Sequence, residues 1–146
     1  MKILFVCTGN TCRSPMAEGI FNELKKDLDV QVLSAGISAL DGSEVNDYAI
    51  KSMEEIHDIS HYRSKLVTKD LLSQADLILT MTKIHKDRLI SRFDNIDHKT
   101  YLLNEYAFGS EEDIADPIGG SLYVYEEVLG QIYEAIKKII EKLAGD

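Results

Sequence analysis

Cys7 and Arg13 frame a short segment, CTGNTCR at residues 7–13, whose residue types could carry out phosphate chemistry. A cysteine thiolate is a nucleophile, and an arginine guanidinium can bind a phosphate group through two parallel hydrogen bonds. Backbone N–H groups of residues 8–13 can surround the same anion. The segment therefore predicts a pocket for a phosphate dianion, with Cys7 as the nucleophile and Arg13 as the phosphate ligand. The other residues expected to bind the substrate phosphate are Thr8, Gly9, Asn10, Thr11, Cys12 and Ser14.

Residues on both sides of this loop predict the geometry that the chemistry needs. Residues 3–6 (ILFV) are all apolar, as in a strand buried on both faces, and Ser14-Pro15 is typical of a helix start. A helix that begins here directs the positive end of its dipole at the loop, and the Ser14 hydroxyl can donate to sulfur. Both effects favour an ionised thiol. Gly9 and Asn10 tolerate the positive φ angles of a tight loop. This context favours a catalytic loop over a buried structural cysteine.

A second candidate for chemistry is Asp116, in the sequence DPIGG at residues 116–120. The DPIGG sequence ends a long polar segment, residues 104–120. Loops of this length in a small domain are usually functional or disordered. A carboxylic acid before a proline can be held over a pocket as a proton donor. Steric preferences alone also place aspartate before proline in turns. The residues themselves favour neither interpretation of Asp116.

The rest of the chain must position these groups, and its apolar pattern alternates between strands and helices. We expect strands over residues 2–6, 30–35, 77–80 and 100–103, and helices over 15–28, 45–56, 69–74, 84–93 and from 122 to 143. This alternation predicts an α/β fold with a parallel sheet, in one domain that spans residues 1–146. Ligands of such sheets bind beyond the carboxyl ends of the strands, where the cysteine loop follows the first strand.

Composition limits the partners and the cellular setting. The formal net charge of −9 argues against nonspecific binding of nucleic acid, which needs a basic surface. The apolar runs are shorter than the roughly 20 residues that a membrane span needs, and no secretory signal is recognisable, so we expect a cytoplasmic protein without a membrane partner. The two cysteines lie in one loop, which suits neither a disulfide framework nor a zinc site.

Residues 6–18 (VCTGNTCRSPMAE) resemble the low-molecular-weight protein tyrosine phosphatase family. The resemblance continues through SAG at 34–36, ADLILTM at 75–81 and DP at 116–117, so it covers nearly the whole chain. It implies an α/β fold with a four-stranded parallel sheet, helices on both faces and a phosphate loop after strand 1. It implies Cys7 as nucleophile, Arg13 as phosphate ligand and Asp116 as general acid. The implied reaction is hydrolysis of phosphorylated protein side chains through a cysteinyl-phosphate, with no metal or other cofactor.

Two positions depart from the commonest tyrosine phosphatase pattern. Thr11 stands where that pattern has an aliphatic residue, and Ile118 stands where it has an aromatic residue after the Asp-Pro pair. Thr11 together with Asp-Pro-x-Gly-Gly resembles the bacterial protein arginine phosphatase branch. A threonine hydroxyl can bond to a phosphorylated guanidine, and loss of the aromatic weakens stacking on a tyrosine ring by about 0.5–1.5 kcal/mol. We therefore expect a protein arginine phosphatase, with protein tyrosine phosphatase as the alternative and Thr11 as a neutral variant in that case.

Two other classes compete with a phosphatase. Arsenate reductases that are coupled to thioredoxin resemble this loop, but they need two further cysteines downstream, and no cysteine follows Cys12. A phosphoprotein-binding module would need the loop but not Asp116. Both are less favoured interpretations.

Six further positions give expectations of smaller scope. Cys12 could trap an oxidised Cys7 as a reversible disulfide, or it could be a small buried residue. Family members often carry a histidine that supports the loop at the position of Tyr62, and His61 precedes it here. We leave open which of these two supports the loop. The remaining histidines are predicted to lie at the surface without a function: His57, His85 and His98.

Overall fold

Four parallel strands form the centre of the structure, a computed structural model that describes residues 1–145. Their order across the sheet is β2-β1-β3-β4. The strands are β1 (Lys2–Cys7), β2 (Gln31–Gly36), β3 (Leu77–Thr80) and β4 (Thr100–Leu102). The predicted α/β fold with a four-stranded parallel sheet is confirmed, and each strand lies within one or two residues of its predicted position.

Six α-helices and one 3-10 turn connect and flank these strands. They are α1 (Arg13–Leu24), α2 (Asp47–Ser52), α3 (Lys69–Gln74), α4 (Lys83–Arg92), the 3-10 turn Asp97–Lys99, α5 (Leu103–Phe108) and α6 (Leu122–Gly145). Thr68 begins α3 as predicted, since its side chain accepts a hydrogen bond from the backbone N–H of Leu71 at 3.1 Å. Within residues 1–145, no helix combines the length and the apolarity that a membrane crossing requires.

Strand β1 is buried on both faces because its side chains alternate between two apolar cores. Ile3 and Phe5 pack with α1 and α6 on one face of the sheet. Leu4 and Val6 pack on the other face with residues of α3 and α4, such as Leu89. The apolar stripe predicted for α6 is the face that closes the first core; its buried members are Tyr125, Val128, Ile132, Ile136 and Ile139. Helices therefore cover both faces of the sheet, as predicted.

Three predicted boundaries differ from the structure. Helix α1 ends at Leu24, short of the predicted residue 28, because Lys26 adopts a φ of 48° that an α-helix cannot continue. Helix α2 spans only Asp47–Ser52 of the predicted 45–56. The segment predicted as one long loop, 104–120, begins with helix α5, which buries Leu103 and Ala107 on one face and ends at Gly109 with a φ of 69°.

The strand order places the cysteine loop at the point where the sheet reverses its winding. Strand β1 is flanked by β2 on one side and by β3 on the other. The connections that leave β1 and β3 therefore diverge, and the carboxyl ends of these two strands border a crevice. Cys7 is the last residue of β1, and Thr80 is the last residue of β3.

Candidate active site

The loop over residues 8–12 turns tightly from β1 into α1, and a glycine of the neighbouring strand makes room for it. Gly36, the last residue of β2, pairs with Cys7 in the sheet. A Cβ atom at residue 36 would lie 2.5 Å from the backbone oxygen of Thr8 and 2.9 Å from the backbone nitrogen of Asn10. A side chain at this position would therefore displace the loop backbone. The SAG segment at 34–36 thus ends in a residue without a side chain, which allows the loop to pass close to β2.

The Ser14 hydroxyl lies 2.9 Å from the Cys7 sulfur, as the sequence predicts. Asn10 donates from Nδ2 to the same Ser14 oxygen at 2.8 Å, so the Ser14 proton remains available to another acceptor. An ionised Cys7 sulfur has no proton of its own, so in that state the Ser14 hydroxyl is the donor. A hydrogen bond donated to sulfur stabilises the ionised thiol, which is the nucleophilic form.

The Asn10 side chain joins the loop to the neighbouring segments through hydrogen bonds. Asn10 has a φ of 57°, is buried, and donates from Nδ2 also to the Ser34 hydroxyl at 2.9 Å. Its Oδ1 accepts from the backbone N–H of Lys65 at 2.9 Å, which fixes the orientation of the amide. Ser34 in turn donates to Glu18 Oε1 at 2.6 Å. A chain of hydrogen bonds thus runs from Glu18 through the serines and Asn10 to the cysteine sulfur.

Glu18 and Ser34 are members of this network that the sequence analysis did not single out. Burial raises the pKa of the Glu18 carboxyl, and the hydrogen bond from Ser34 lowers it in part. Both residues lie inside the segments that carry the family resemblance, at 6–18 and 34–36. Their position in those segments was the only signal that could have identified them.

The structure brings Arg13 and Asp116 together from distant parts of the chain. Arg13 is buried, and its Nη1 donates to the backbone oxygen of Ile114 at 2.7 Å. Its Nη2 lies 3.9 Å from Asp116 Oδ2. Asp116 is half exposed, and its Oδ1 accepts from the backbone N–H of Ile118 at 3.0 Å. The carboxylate is thereby held next to the Arg13 guanidinium, at the end of the phosphate loop. The Ile114 carbonyl group is a contact that the sequence did not predict.

Cys12 lies beneath the loop, and α6 supplies its partner. Its sulfur is 3.6 Å from the Tyr125 hydroxyl and 3.9 Å from the Thr11 hydroxyl. Burial raises the pKa of the Cys12 thiol, which therefore rests in the protonated form. Tyr48 packs edge-on against the Tyr125 ring, with centroids 5.6 Å apart, and remains partly exposed. Cys7 and Cys12 are both buried and both free.

The prediction that His85 lies at the surface was wrong. His85 is buried at 5% exposure, and its Nε2 lies 2.8 Å from the Thr8 hydroxyl of the loop. Burial, and after it the charges of Arg13 and Arg88, lower the pKa of His85 to about 4. The signal was available in the helix period, because His85 lies one turn before buried Leu89.

The other histidines behave differently. His98 is exposed and His57 pairs with Glu23 at the surface, as expected. Within residues 1–145, neither His61 nor Tyr62 bonds to the phosphate loop. His61 packs edge-on against Tyr62, whose hydroxyl accepts from Asn22 at 3.4 Å. The backbone N–H of Lys65 supports Asn10 of the loop directly.

Comparison with known proteins shows which family this chain resembles over its length. The family described as low molecular weight phosphotyrosine protein phosphatase matches residues 2–146. The protein-arginine-phosphatase of Bacillus subtilis is 38% identical over all of this chain and 99% of that protein. The low molecular weight protein-tyrosine-phosphatase PtpB of Staphylococcus epidermidis is 38% identical over 95% of this chain and 96% of that protein.

A solved structure carries the same fold. It is the YwlE arginine phosphatase in a mutant form with a phosphorylated active site serine, and it is 37% identical. The match has a TM-score of 0.94 and covers 100% of this chain and 97% of the other. The chain belongs to the low molecular weight phosphotyrosine protein phosphatase family.

Proposed function

We propose that this chain is a protein arginine phosphatase in which Cys7 is the nucleophile, Arg13 the phosphate ligand and Asp116 the general acid. The observation that carries the proposal is the proximity of these groups: the Ser14 hydroxyl lies 2.9 Å from the Cys7 sulfur, and Arg13 Nη2 lies 3.9 Å from Asp116 Oδ2. The cluster combines a nucleophile, a cation for the phosphoryl oxygens and a carboxyl group for the leaving group. Phosphoryl transfer to a thiol requires these three.

The reaction proceeds in two steps. In the first, the Cys7 thiolate attacks phosphorus in line, the bond between phosphorus and the guanidine nitrogen breaks, and Asp116 gives its proton to that nitrogen. In the second, the Asp116 carboxylate takes a proton from water, which attacks the cysteinyl-phosphate. Inorganic phosphate leaves and the Cys7 thiolate is restored. Arg13 and the loop N–H groups stabilise the extra negative charge in both transition states.

Preference for phosphoarginine is supported by Thr11 and by the residue after the Asp-Pro pair. Thr11 is partly exposed at the loop, and the contact of its hydroxyl with the Cys12 sulfur is long, at 3.9 Å, which leaves the hydroxyl available to a polar guanidine. Ile118 is 63% exposed and offers no aromatic face to a tyrosine ring. A relative named for arginine phosphatase activity carries the same fold over the same length, which agrees with this assignment.

Tyrosine phosphatase activity is the second candidate, and one observation favours it. Tyr48 is 46% exposed and packs against Tyr125, whose hydroxyl contacts Cys12 under the loop. An exposed aromatic ring so close to the loop could stack on a phosphotyrosine ring in place of the missing aromatic. Such stacking contributes about 0.5–1.5 kcal/mol.

The natural partners are then phosphorylated proteins in the cytoplasm. Two free thiols at one site call for a reducing compartment, where disulfides do not persist. The net charge of −9 disfavours nucleic acid as a partner.

A direct comparison of two substrates tests the proposal. Peptides of one sequence that carry either phosphoarginine or phosphotyrosine are offered to the parent, with Cys7→Ser as the control that removes the nucleophile. We expect a higher kcat/KM for the phosphoarginine peptide and no turnover of either peptide by Cys7→Ser. A preference for phosphotyrosine would transfer the assignment to the second candidate. Equal turnover by Cys7→Ser would refute the cysteine mechanism.

A further inference from the structure

His85 is a buried side chain next to the phosphate loop, and the two-step reaction does not use its contact with that loop. It stands in the first turn of α4, where its backbone N–H donates to the Thr82 hydroxyl at 3.1 Å. Its ring reaches the phosphate loop through Nε2, 2.8 Å from Thr8 Oγ1. The other ring nitrogen, Nδ1, is buried and has no hydrogen-bond partner among the described residues. The ring thus makes a single polar contact, and that contact is with the residue after Cys7.

The unpartnered Nδ1 assigns the tautomer of the ring. If Nε2 accepted from Thr8, the ring proton would sit on Nδ1 as a buried donor without an acceptor. Orphaned buried N–H groups are rare and cost about 1–3 kcal/mol. If Nε2 carries the proton and donates to Thr8, only a lone pair on Nδ1 is left without a partner. We therefore assign the contact as a hydrogen bond that Nε2–H of His85 donates to the Thr8 hydroxyl oxygen.

This direction determines what Thr8 can do. Its oxygen accepts from His85, so its own proton points away from the ring. The Thr8 side chain is exposed, whereas its backbone oxygen is bound by the N–H of Ser38 at 2.9 Å. Thr8 directly follows Cys7, so its hydroxyl lies on the loop that carries the proposed nucleophile.

We propose that His85 is a positioning residue that orients the Thr8 hydroxyl as a donor to a phosphoryl oxygen bound over Cys7. The inference rests on the proposed phosphatase function, but not on the choice between arginine and tyrosine, because both substrates present the same phosphoryl oxygens. Thr8 was expected to bind phosphate as part of the loop. The structure adds a role for its side chain and assigns the group that orients it.

A double-mutant cycle of Thr8 and His85 tests this role. Thr8→Val removes the donor, and we expect kcat/KM to fall about 10-fold or more on both phosphopeptides, the range for a hydrogen bond to a charged group. Thr8→Ser keeps the hydroxyl and should retain most of the activity. His85→Leu frees the Thr8 hydroxyl to rotate and should cost less than Thr8→Val. Because His85 acts through Thr8, the double variant should be no slower than Thr8→Val alone.

A purely structural role of His85 predicts a different result. In that case His85→Leu will reduce kcat/KM by the same factor with or without Thr8→Val, and the proposal fails. His85→Gln retains an N–H donor and should recover the activity that His85→Leu loses. If His85→Leu does not fold, Thr8→Val and Thr8→Ser still decide the role of the hydroxyl. An unchanged kcat/KM in Thr8→Val would overturn it.

Two further measurements separate this proposal from the substrate assignment. Inorganic phosphate serves as a competitive inhibitor, and its inhibition constant should rise in Thr8→Val by a factor similar to the fall in kcat/KM. If the parent prefers phosphotyrosine, the assignment of phosphoarginine as substrate is wrong, but the phosphate inhibition still tests the role of the Thr8 hydroxyl. The ¹⁵N signals of the His85 ring at neutral pH should show Nε2 protonated and Nδ1 bare. Protonation at Nδ1 instead would contradict the assigned tautomer and with it the orientation of Thr8.

Discussion

Arg13 reaches the Asp116 segment at two points. Its Nη1 donates to the Ile114 backbone oxygen at 2.7 Å, and its Nη2 lies 3.9 Å from the Asp116 carboxylate. The proposed phosphate ligand is thus held by the segment that carries the proposed acid. If both roles hold, one guanidinium binds the phosphate and also sets the distance of the proton donor, which couples the two functions.

Replacement of Asp116 should separate chemistry from binding. We expect Asp116→Asn to lower kcat by about 10²- to 10⁴-fold, because the leaving group then departs without a proton. The loss should be smaller for an aryl phosphate with an acidic leaving group, which needs less help. Steady-state kinetics on both substrate types measures this. Glu111→Gln, on the same exposed loop, is the matched control and should keep parental activity. Full turnover by Asp116→Asn would assign the proton transfer to another group.

Thr11→Ile should shift the substrate preference. Isoleucine removes the hydroxyl that we assign to the guanidine, so the ratio of kcat/KM for phosphoarginine over phosphotyrosine should fall by about 5- to 10-fold, as for one hydrogen bond. Use of a ratio cancels any general loss of activity in the variant. An unchanged ratio would show that Thr11 does not select the substrate.

The buried His85 should make the protein sensitive to mild acid. Its pKa lies at about 4 in the folded chain and near the ordinary value of 6.5 when unfolded. The unfolded chain therefore binds the proton more tightly. The contribution of His85 to the free energy of unfolding is therefore greatest above its pKa in the unfolded chain. This contribution falls by about 3 kcal/mol in total as the pH decreases from that pKa to below the pKa of His85 in the folded chain.

Urea unfolding of the parent and of His85→Gln at neutral and at mildly acidic pH checks this. The variant should lose less stability between the two conditions than the parent does. Glu18 changes stability in the opposite sense, because burial raises the pKa of its carboxyl, and it contributes equally to both proteins. His98→Gln, which removes an exposed histidine, should follow the parent. Equal acid sensitivity of parent and His85→Gln would contradict the assignment.

Cys12 should protect Cys7 against irreversible oxidation. A peroxide converts the Cys7 thiolate to a sulfenic acid; the Cys12 thiol then attacks that sulfur, a disulfide forms and water leaves. Parent enzyme inactivated by peroxide should therefore recover with dithiothreitol, whereas Cys12→Ser should pass to higher oxidation states and recover less. Mass spectrometry of the treated proteins identifies the products. Equal recovery would leave Cys12 as a packing residue against Tyr125.

Local sequence was sufficient to predict the strands and the phosphate loop. Residues 3–14 contain, without interruption, a buried strand, a loop with Asn10 at positive φ and a helix start. Their interactions are short in range, so residue type and order determine them. The apolar stripe of α6 was predictable for the same reason, since one helix period defines its buried face. Helix ends were less predictable, because a single residue such as Lys26 can stop a helix by its backbone conformation.

A few neighbouring residues are enough to bring a thiol and a guanidinium onto one tight loop, so this part of the site can be predicted from the sequence. The groups that face the loop come from elsewhere in the chain and depend on the fold. Three contacts join segments far apart in the chain: Asp116 with Arg13, the Lys65 backbone with Asn10, and the His85 ring with the Thr8 hydroxyl. Such contacts depend on strand order and on how the helices pack across the sheet, and no local pattern encodes them.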